Sequence, residues 1–301
     1  MVVTATAPTH AGPPAVVVHG GAGARSAELA ERHDEVRAAL LHVVDIARVM
    51  LEAGRSAVAT TQSAIMSMEA DYEFFNAGRG SVLCADRSVQ MSAALMRGSD
   101  RSGGAVAGIS RTKHPIIAAR TVLDHSPHVL MVGPAADAHA AAQGAEQTEP
   151  SYFVTERQRR RLTDAGSDAD RGTVGVVCLD VNGSLAAGTS TGGMRGQSPG
   201  RVGDSPLLGA GTWADGHVAI SCTGDGEAFI RAGAARHIAS LIAHGTALQP
   251  ATDEALADVA RLGGHGGLIA LDAHGTIAMP FNSAAMPRGT WRAGAAPAAW
   301  V

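Results

Sequence analysis

Charge is scarce in this chain: only 17% of its 301 residues are charged, and the formal net charge is −4. That balance gives no basic field for nucleic acid and no polybasic stretch for anionic lipid. The one dense basic run, Arg157 to Arg161 (RQRRR), is flanked by Glu156 and Asp164 and reads as a solvated helix face. Cysteine is equally sparse. Cys84, Cys178 and Cys222 are odd in number, and each lies in or beside an apolar, strand-like stretch, so buried thiols fit better than a disulfide framework. No run approaches the ~20 apolar residues that span a bilayer. The opening MVVTATAPTHAGPPAVVV has neither a basic leader segment nor a long apolar one. A soluble, cytoplasmic protein that binds neither nucleic acid nor membrane is the expectation.

Several catalytic signatures are missing too. There is no HExxH, and His125 and His128 flank Ser126-Pro127 with no third ligand nearby. The GxSxG elbow of serine hydrolases is absent. HGGAGAR after a strand invites a dinucleotide-binding reading. With Gly21 and Gly23 as the first two glycines, however, the third position is Ser26, and no acidic ribose partner follows a second strand.

What is present is enough apolar material, 46% of the chain, for one large domain or two ordinary ones. Residues 15–18 form a β-branched run that stops in a glycine turn. Helical spacing covers 26–53, with Val36, Leu40, Val43, Ala47, Met50 and Leu51 on one face, and a second helix fills 56–69. Short strands follow at 81–84, 89–96 and 105–109, then helices at 115–124, opened by Pro115, and at 135–143. From 146 to 171 the chain turns polar and reads as an exposed linker. Strand language resumes with TVGVVCLD, a VNG turn and SLAAGTS, which make a hairpin. A strand at 217–222, helices at 227–244 and 253–262, and a closing hairpin of LIALD and TIAMPF complete the chain. Hairpins in both halves favour two antiparallel-rich sheets packed face to face with helices outside.

The junction Arg171-Gly172-Thr173-Val174-Gly175 is different in kind. A threonine opening a strand is ordinary by itself. A glycine before a hydroxyl nucleophile, at the end of an exposed stretch, is what an intramolecular acyl shift needs, because Gly172 has no Cβ to block attack on its carbonyl. Once cut, Thr173 carries its hydroxyl and a free α-amine on one residue. That amine, with a reference pKa of ~7.7–8.0, can serve as base for the hydroxyl.

Further motifs surround this junction: TSTGG (189–193), PGRVGDSP (199–206) and SCTGDGE (221–227), with FNAGRGS at 75–81, HGGLIALD at 265–272 and PFN at 280–282. In order and spacing, together with HGGAG and GTVG, they resemble the isoaspartyl peptidase / plant-type asparaginase family of N-terminal-nucleophile hydrolases. The resemblance implies an α/β, four-layer αββα sandwich made as one domain, 1–301. Self-cleavage would divide it into an α-chain, 1–172, with 146–172 as flexible linker, and a β-chain starting at Thr173. It implies hydrolysis of asparagine or β-aspartyl dipeptides, without ranking the two, by a dimer of such αβ units and with no cofactor for catalysis. Thr173 matches the nucleophile and Thr191 the threonine that orients it, with Asn76 beside them. Thr223 and the Gly224 amide match the oxyanion hole. Arg201, Asp204, Gly224 and Gly226 match the substrate-binding set, Arg201 for the α-carboxylate and Asp204 for the α-ammonium. On spacing alone, Arg201 and Asp204 read as a mutual surface salt bridge worth at most ~1 kcal/mol. The loop 69–79 resembles one that holds a structural sodium ion through backbone carbonyls, here those of Glu69, Ala70, Tyr72, Phe75, Ala77 and Arg79.

The chain leaves the family pattern at Ser92 and Arg97, where acidic residues are usual, at His114 in place of Asn, and at Asp225 in place of His or Thr. We expect the Asp225 carboxylate to turn outward and meet the leaving side of the substrate. Two rival readings are a glycosylasparaginase, against which the HGGAG opening argues, and a non-maturing homologue acting as a binding scaffold, against which the complete residue set argues.

Overall fold

The run AVVVH makes β1 (Ala15–His19), buried along its whole length as befits a strand covered on both faces. The structure, a computed structural model, describes residues 12–24, 27–163 and 172–301. The first half continues with α1 (Ala27–Glu31), α2 (His33–Glu52), α3 (Ala57–Ala70), β2 (Met91–Arg97), β3 (Gly103–Ile109), α4 (Pro115–His125), β4 (Leu130–Val132), α5 (Gly133–Ala142) and α6 (Glu156–Thr163). The second half holds β5 (Val174–Leu179), β6 (Leu185–Thr191), β7 (Thr212–Ala214), β8 (Val218–Gly224), α7 (Gly226–Ala232), α8 (Ala234–Ala243), α9 (Leu248–Arg261), β9 (Gly266–Asp272), β10 (Ile277–Ala278), β11 (Arg288–Arg292) and β12 (Ala298–Trp300).

The strands form an eight-stranded sheet, β12-β11-β1-β5-β6-β2-β3-β4, and a four-stranded sheet, β10-β9-β8-β7. Helices α2 to α5 cover the outer face of the large sheet, and α8 and α9 cover the small one. Strands β1, β5 and β6 pack on β8 and β9. Three apolar clusters result, one under each helix layer and one between the sheets, where Val17, Val177 and Leu185 meet Ala219, Ile269 and Leu271. This is the four-layer αββα sandwich.

Local chemistry explains most of the joints. The β5–β6 turn is closed by Asp180, whose Oδ1 accepts from the Asn182 and Ser184 amides at 2.9 and 3.0 Å. Its Oδ2 accepts from the Ala57 amide at 2.9 Å, so the same carboxylate ties the first turn of α3 to the hairpin. Glu69, at the far end of α3, is fully enclosed. Its Oε1 accepts from Ser190 Oγ at 2.6 Å and from the Ile116 amide at 2.9 Å, while Oε2 lies 3.3 Å from His114 Nδ1. Burial raises its pKa, and those contacts work against the rise. His114, one of the departures, thus faces a buried carboxylate.

The structure departs from the sequence reading at five places. Residues 81–84 form no strand. The helical stretch 26–53 is interrupted at Arg32, and 227–244 is two helices, because Gly233 takes φ 57° and a left-handed residue ends α7. The helix expected from 253 begins at Leu248. The stretch read as an exposed linker is folded over 146–163: a 3₁₀ turn, Pro150–Phe153, buries Phe153, and Gln158 of α6 donates to the Gly80 carbonyl at 2.7 Å. Residues 164–171 of that stretch lie outside the described residues. No helix among the described residues is long and apolar enough to cross a membrane.

Candidate active site

Strands β5 and β6 are antiparallel with Val174 opposite Ser190, so the start of one and the end of the other share one edge of the sheet. Thr173 and Thr191 therefore meet, Thr173 Oγ1 donating to Thr191 Oγ1 at 3.1 Å. Thr191 Oγ1 donates onward to the Gly172 carbonyl at 3.0 Å and accepts from the Gly193 amide at 2.9 Å. Asn76 Nδ2 donates to the Gly172 and Gly193 carbonyls, both at 2.8 Å, while its Oδ1 accepts from the Val82 amide at 2.9 Å. In the uncut chain the Gly172 carbonyl is thus held by two donors. A Cβ on Gly172 would stand 2.7 Å from the Asn76 Cβ, so only glycine lets the amide approach this closely.

Thr223 lies near the end of β8 and is fully buried. Its Oγ1 accepts from the Ala22 amide, in the glycine loop after β1, at 3.0 Å. Its own proton has no acceptor among the described residues. Gly224 lines a cavity shared with Gly172, Thr173, Thr191, Met194, Arg201 and Asp204.

At the charged end of that cavity, Asp204 is 4% exposed, and its Oδ2 has no hydrogen-bond partner. Burial pushes its pKa up to about 7, against the pull of its backbone contacts and of Arg201. Arg201 does not form the expected pair with Asp204. Its Nε and Nη2 donate to the two oxygens of Glu227 at 2.8 and 2.9 Å, and Nη1 donates to Gln197 Oε1 at 3.3 Å. Gly226 packs behind Arg201 and Asp204 and does not line the cavity.

Beside Thr173 runs a ladder of buried polar side chains. His19 Nε2 lies 3.0 Å from Ser221 Oγ, which lies 2.7 Å from Thr189 Oγ1. Thr212 Oγ1 stands 2.6 Å from Thr189 Oγ1 and 2.9 Å from the Ser205 carbonyl. Burial drives the His19 pKa down to about 3, with the Thr173 backbone opposing the shift, so the ring is neutral wherever the protein works. It can orient the strand that carries Thr173 but cannot supply a charge. The thiols offer no alternative nucleophile: all three are free and buried, and burial lifts Cys178 to about 12. No group of three or more His, Cys, Asp or Glu among the described residues could hold a metal ion.

The sequence profile of the family described as Asparaginase matches residues 12–299. The chain belongs to the asparaginase family. It is 43% identical over 302 residues to the isoaspartyl peptidase of Escherichia coli, with 94% of each chain covered. Identity to the human isoaspartyl peptidase/L-asparaginase is 37% over 287 residues, covering 91% of this chain and 92% of that one. A probable isoaspartyl peptidase/L-asparaginase 2 of Arabidopsis thaliana is 38% identical over 310 residues, covering 91% and 94%.

Within this asparaginase-family site, sequence reasoning named no role for Gln197, Glu227 or the His19–Ser221–Thr189–Thr212 ladder. Glu227 was visible in SCTGDGE, but nothing in its spacing points to a residue 26 positions earlier. Three of the departures now have places. Ser92 lies opposite Thr191 across the β2–β6 ladder. Arg97 pairs with Asp100 across a surface hairpin. The Asp225 carboxylate, expected to meet the leaving side, binds the neighbouring strand: its Oδ2 accepts from the His265 amide at 2.8 Å, and its amide donates to the His265 carbonyl at 2.8 Å. Its carboxylate ties the end of β8 to the start of β9.

Proposed function

We propose that this chain is a self-maturing threonine amidohydrolase that releases L-aspartate from asparagine and β-aspartyl dipeptides. The observation that carries the reading is one cavity shared by a hydroxyl nucleophile beside a polarised glycine carbonyl and a buried carboxylate short of a partner. The names of the relatives, isoaspartyl peptidase and L-asparaginase, support the same chemistry.

Maturation begins with attack of Thr173 Oγ1 on the Gly172 carbonyl carbon. The resulting oxyanion is met by Asn76 Nδ2 and the Thr191 hydroxyl, which already bind that oxygen. Collapse breaks the Gly172–Thr173 C–N bond and leaves an ester that water hydrolyses. The freed amine becomes the base for the hydroxyl.

In turnover, Thr173 Oγ1 attacks the β-acyl carbon of the substrate, and Thr223 and the Gly224 amide receive the oxyanion. The amine returns its proton to the leaving nitrogen, and water releases aspartate from the β-aspartyl ester. Asp204 Oδ2 takes the substrate α-ammonium, and Arg201 the α-carboxylate, alongside Glu227. The family resemblance further suggests that the backbone carbonyls of loop 69–79 would hold a sodium ion. We further take the enzyme to work in the cytoplasm as a pair of αβ units. Its free, buried thiols suit a reducing compartment.

The test is aspartate release from asparagine and from β-aspartyl-leucine, each beside its N-acetylated form. Both free substrates should turn over, and neither acetylated one should. Equal turnover of the acetylated compounds would remove Asp204 from its role, and no aspartate from any of them would overturn the reading.

A further inference from the structure

The scheme above gives the leaving side of the substrate no partner, and Arg288 is a cation with no carboxylate against it among the described residues. Arg288 opens β11, where it pairs with His19 on one side and Trp300 on the other, and His19 pairs in turn with Gly175. Residues directly opposite in an antiparallel ladder point to the same face. Since His19 reaches Ser221 of the small sheet, Arg288 and Trp300 also face the gap between the sheets. From the small sheet, Thr223 stands opposite Gly267, and Gly267 bridges to Phe281. The Arg288 guanidinium lies 4.9 Å from the Phe281 ring centre and 5.7 Å from that of Trp300.

This guanidinium is short of acceptors. Nη1 donates to the Met286 carbonyl at 3.0 Å, but Nε is buried without a partner, and no carboxylate among the described residues pairs with the side chain. Burial accordingly lowers its pKa with nothing to offset the shift. A planar cation set between aromatic rings with donors to spare suits a planar anion.

Its position suits one too. The Gly20 amide donates to the Pro287 carbonyl at 2.8 Å, and Gly21 packs on Gly172, so Arg288 and Thr173 share one end of the sandwich. Two strand spacings place Arg288 roughly 10 Å from the β5 strand that carries the nucleophile. Across the small sheet the order is Phe281, Gly267, Thr223 and then β7, beside which Asp204 lies. A substrate gripped at Arg201 and Asp204, with its acyl carbon at Thr173, extends its leaving residue the other way. Three bonds of about 1.3–1.5 Å carry that residue's carboxylate roughly 4 Å past the acyl carbon, and an extended arginine side chain spans about 6 Å more.

We propose that Arg288, held between Phe281 and Trp300, is the subsite for the α-carboxylate of the amino acid that leaves a β-aspartyl dipeptide. The assignment rests on the amidohydrolase reading and makes it selective: asparagine, whose leaving group is ammonia, offers Arg288 nothing.

The test compares β-aspartyl-leucine, β-aspartyl-leucinamide and asparagine on the matured wild type and on Arg288→Gln. Wild type should prefer the free dipeptide over its amide by tenfold or more in kcat/KM. Arg288→Gln should erase that preference and lower the dipeptide-to-asparagine ratio by a similar factor. Arg288→Lys, which keeps a cation between the rings, should recover part of it, so a glutamine variant that fails to fold leaves the question decidable. A preference equal in wild type and both variants, or no preference in wild type, would overturn the subsite while asparagine turnover upholds the reaction. Turnover of none of the three would overturn the reaction, and the subsite with it.

Discussion

Asn76, half-buried, uses both Nδ2 protons on two carbonyls and its Oδ1 on an amide, whereas the more deeply enclosed Asp204 leaves Oδ2 unmatched. Asn76 braces Gly172, which lines the same cavity as Asp204. At the Gly172 end, the side-chain polar groups of Asn76 and Thr191 all have partners in the uncut chain. At the Asp204 end, burial holds the carboxylate's pKa up near 7, and Arg201 is bound to Glu227. Buried polar groups are normally satisfied, so on the proposed reading the unmatched Asp204 Oδ2 is where a substrate ammonium belongs. If the proposed function holds, the contrast separates maturation from turnover by residue.

The largest effect expected from that contrast is on maturation. Asn76→Ala removes one of two donors to the Gly172 carbonyl, and loss of such a donor costs about 2.7–4 kcal/mol of barrier. A gel time course should show self-cleavage slowed by roughly 10²- to 10³-fold. Cleavage as fast as in wild type would mean that the two ends are not divided in this way.

A smaller effect follows from pH at the other end. Asp204 must be ionised to hold the substrate ammonium, and its pKa in the ligand-free protein is raised to about 7. Substrate affinity should fall about tenfold for each pH unit below that value, until another group takes over. The sign for stability is opposite. A carboxyl whose folded pKa exceeds its unfolded one favours the fold at low pH and loses that contribution as pH rises through about 7. Melting curves of the ligand-free protein between pH 5 and 8 should show this loss, and Asp204→Asn should flatten it. A KM independent of pH between 5 and 7 would remove the shortfall from the account.

Much of the fold was legible because its signals are local. The β5–β6 hairpin announces itself through VNG between two apolar runs, and Pro115 marks the start of α4. Strands β11 and β12 went unread because RGTWR and AAW are short and mixed in character, and only their places beside β1 make them strands. Residues 146–163 looked like linker because a helix that buries little more than Gln158 has the composition of one. In the site, Thr173, Thr191, Asn76, Arg201, Asp204 and Thr223 stood out through motif order, and the fold gathers them about one cavity. The polar ladder did not, because His19 and Ser221 are 202 residues apart and alternate with apolar neighbours in ordinary strands. Glu227 and Arg288 needed the structure for the same reason: their partners are set by sheet order, which no local pattern encodes.

The division of the cavity depends on one event, cleavage of the Gly172–Thr173 bond. Intact mass and N-terminal sequencing of the purified protein test it directly. The account predicts two fragments, the smaller beginning TVGVV, and a single 30.5 kDa chain for Thr173→Ala. A wild-type protein that stays at 30.5 kDa and still hydrolyses its substrates at full rate would contradict it.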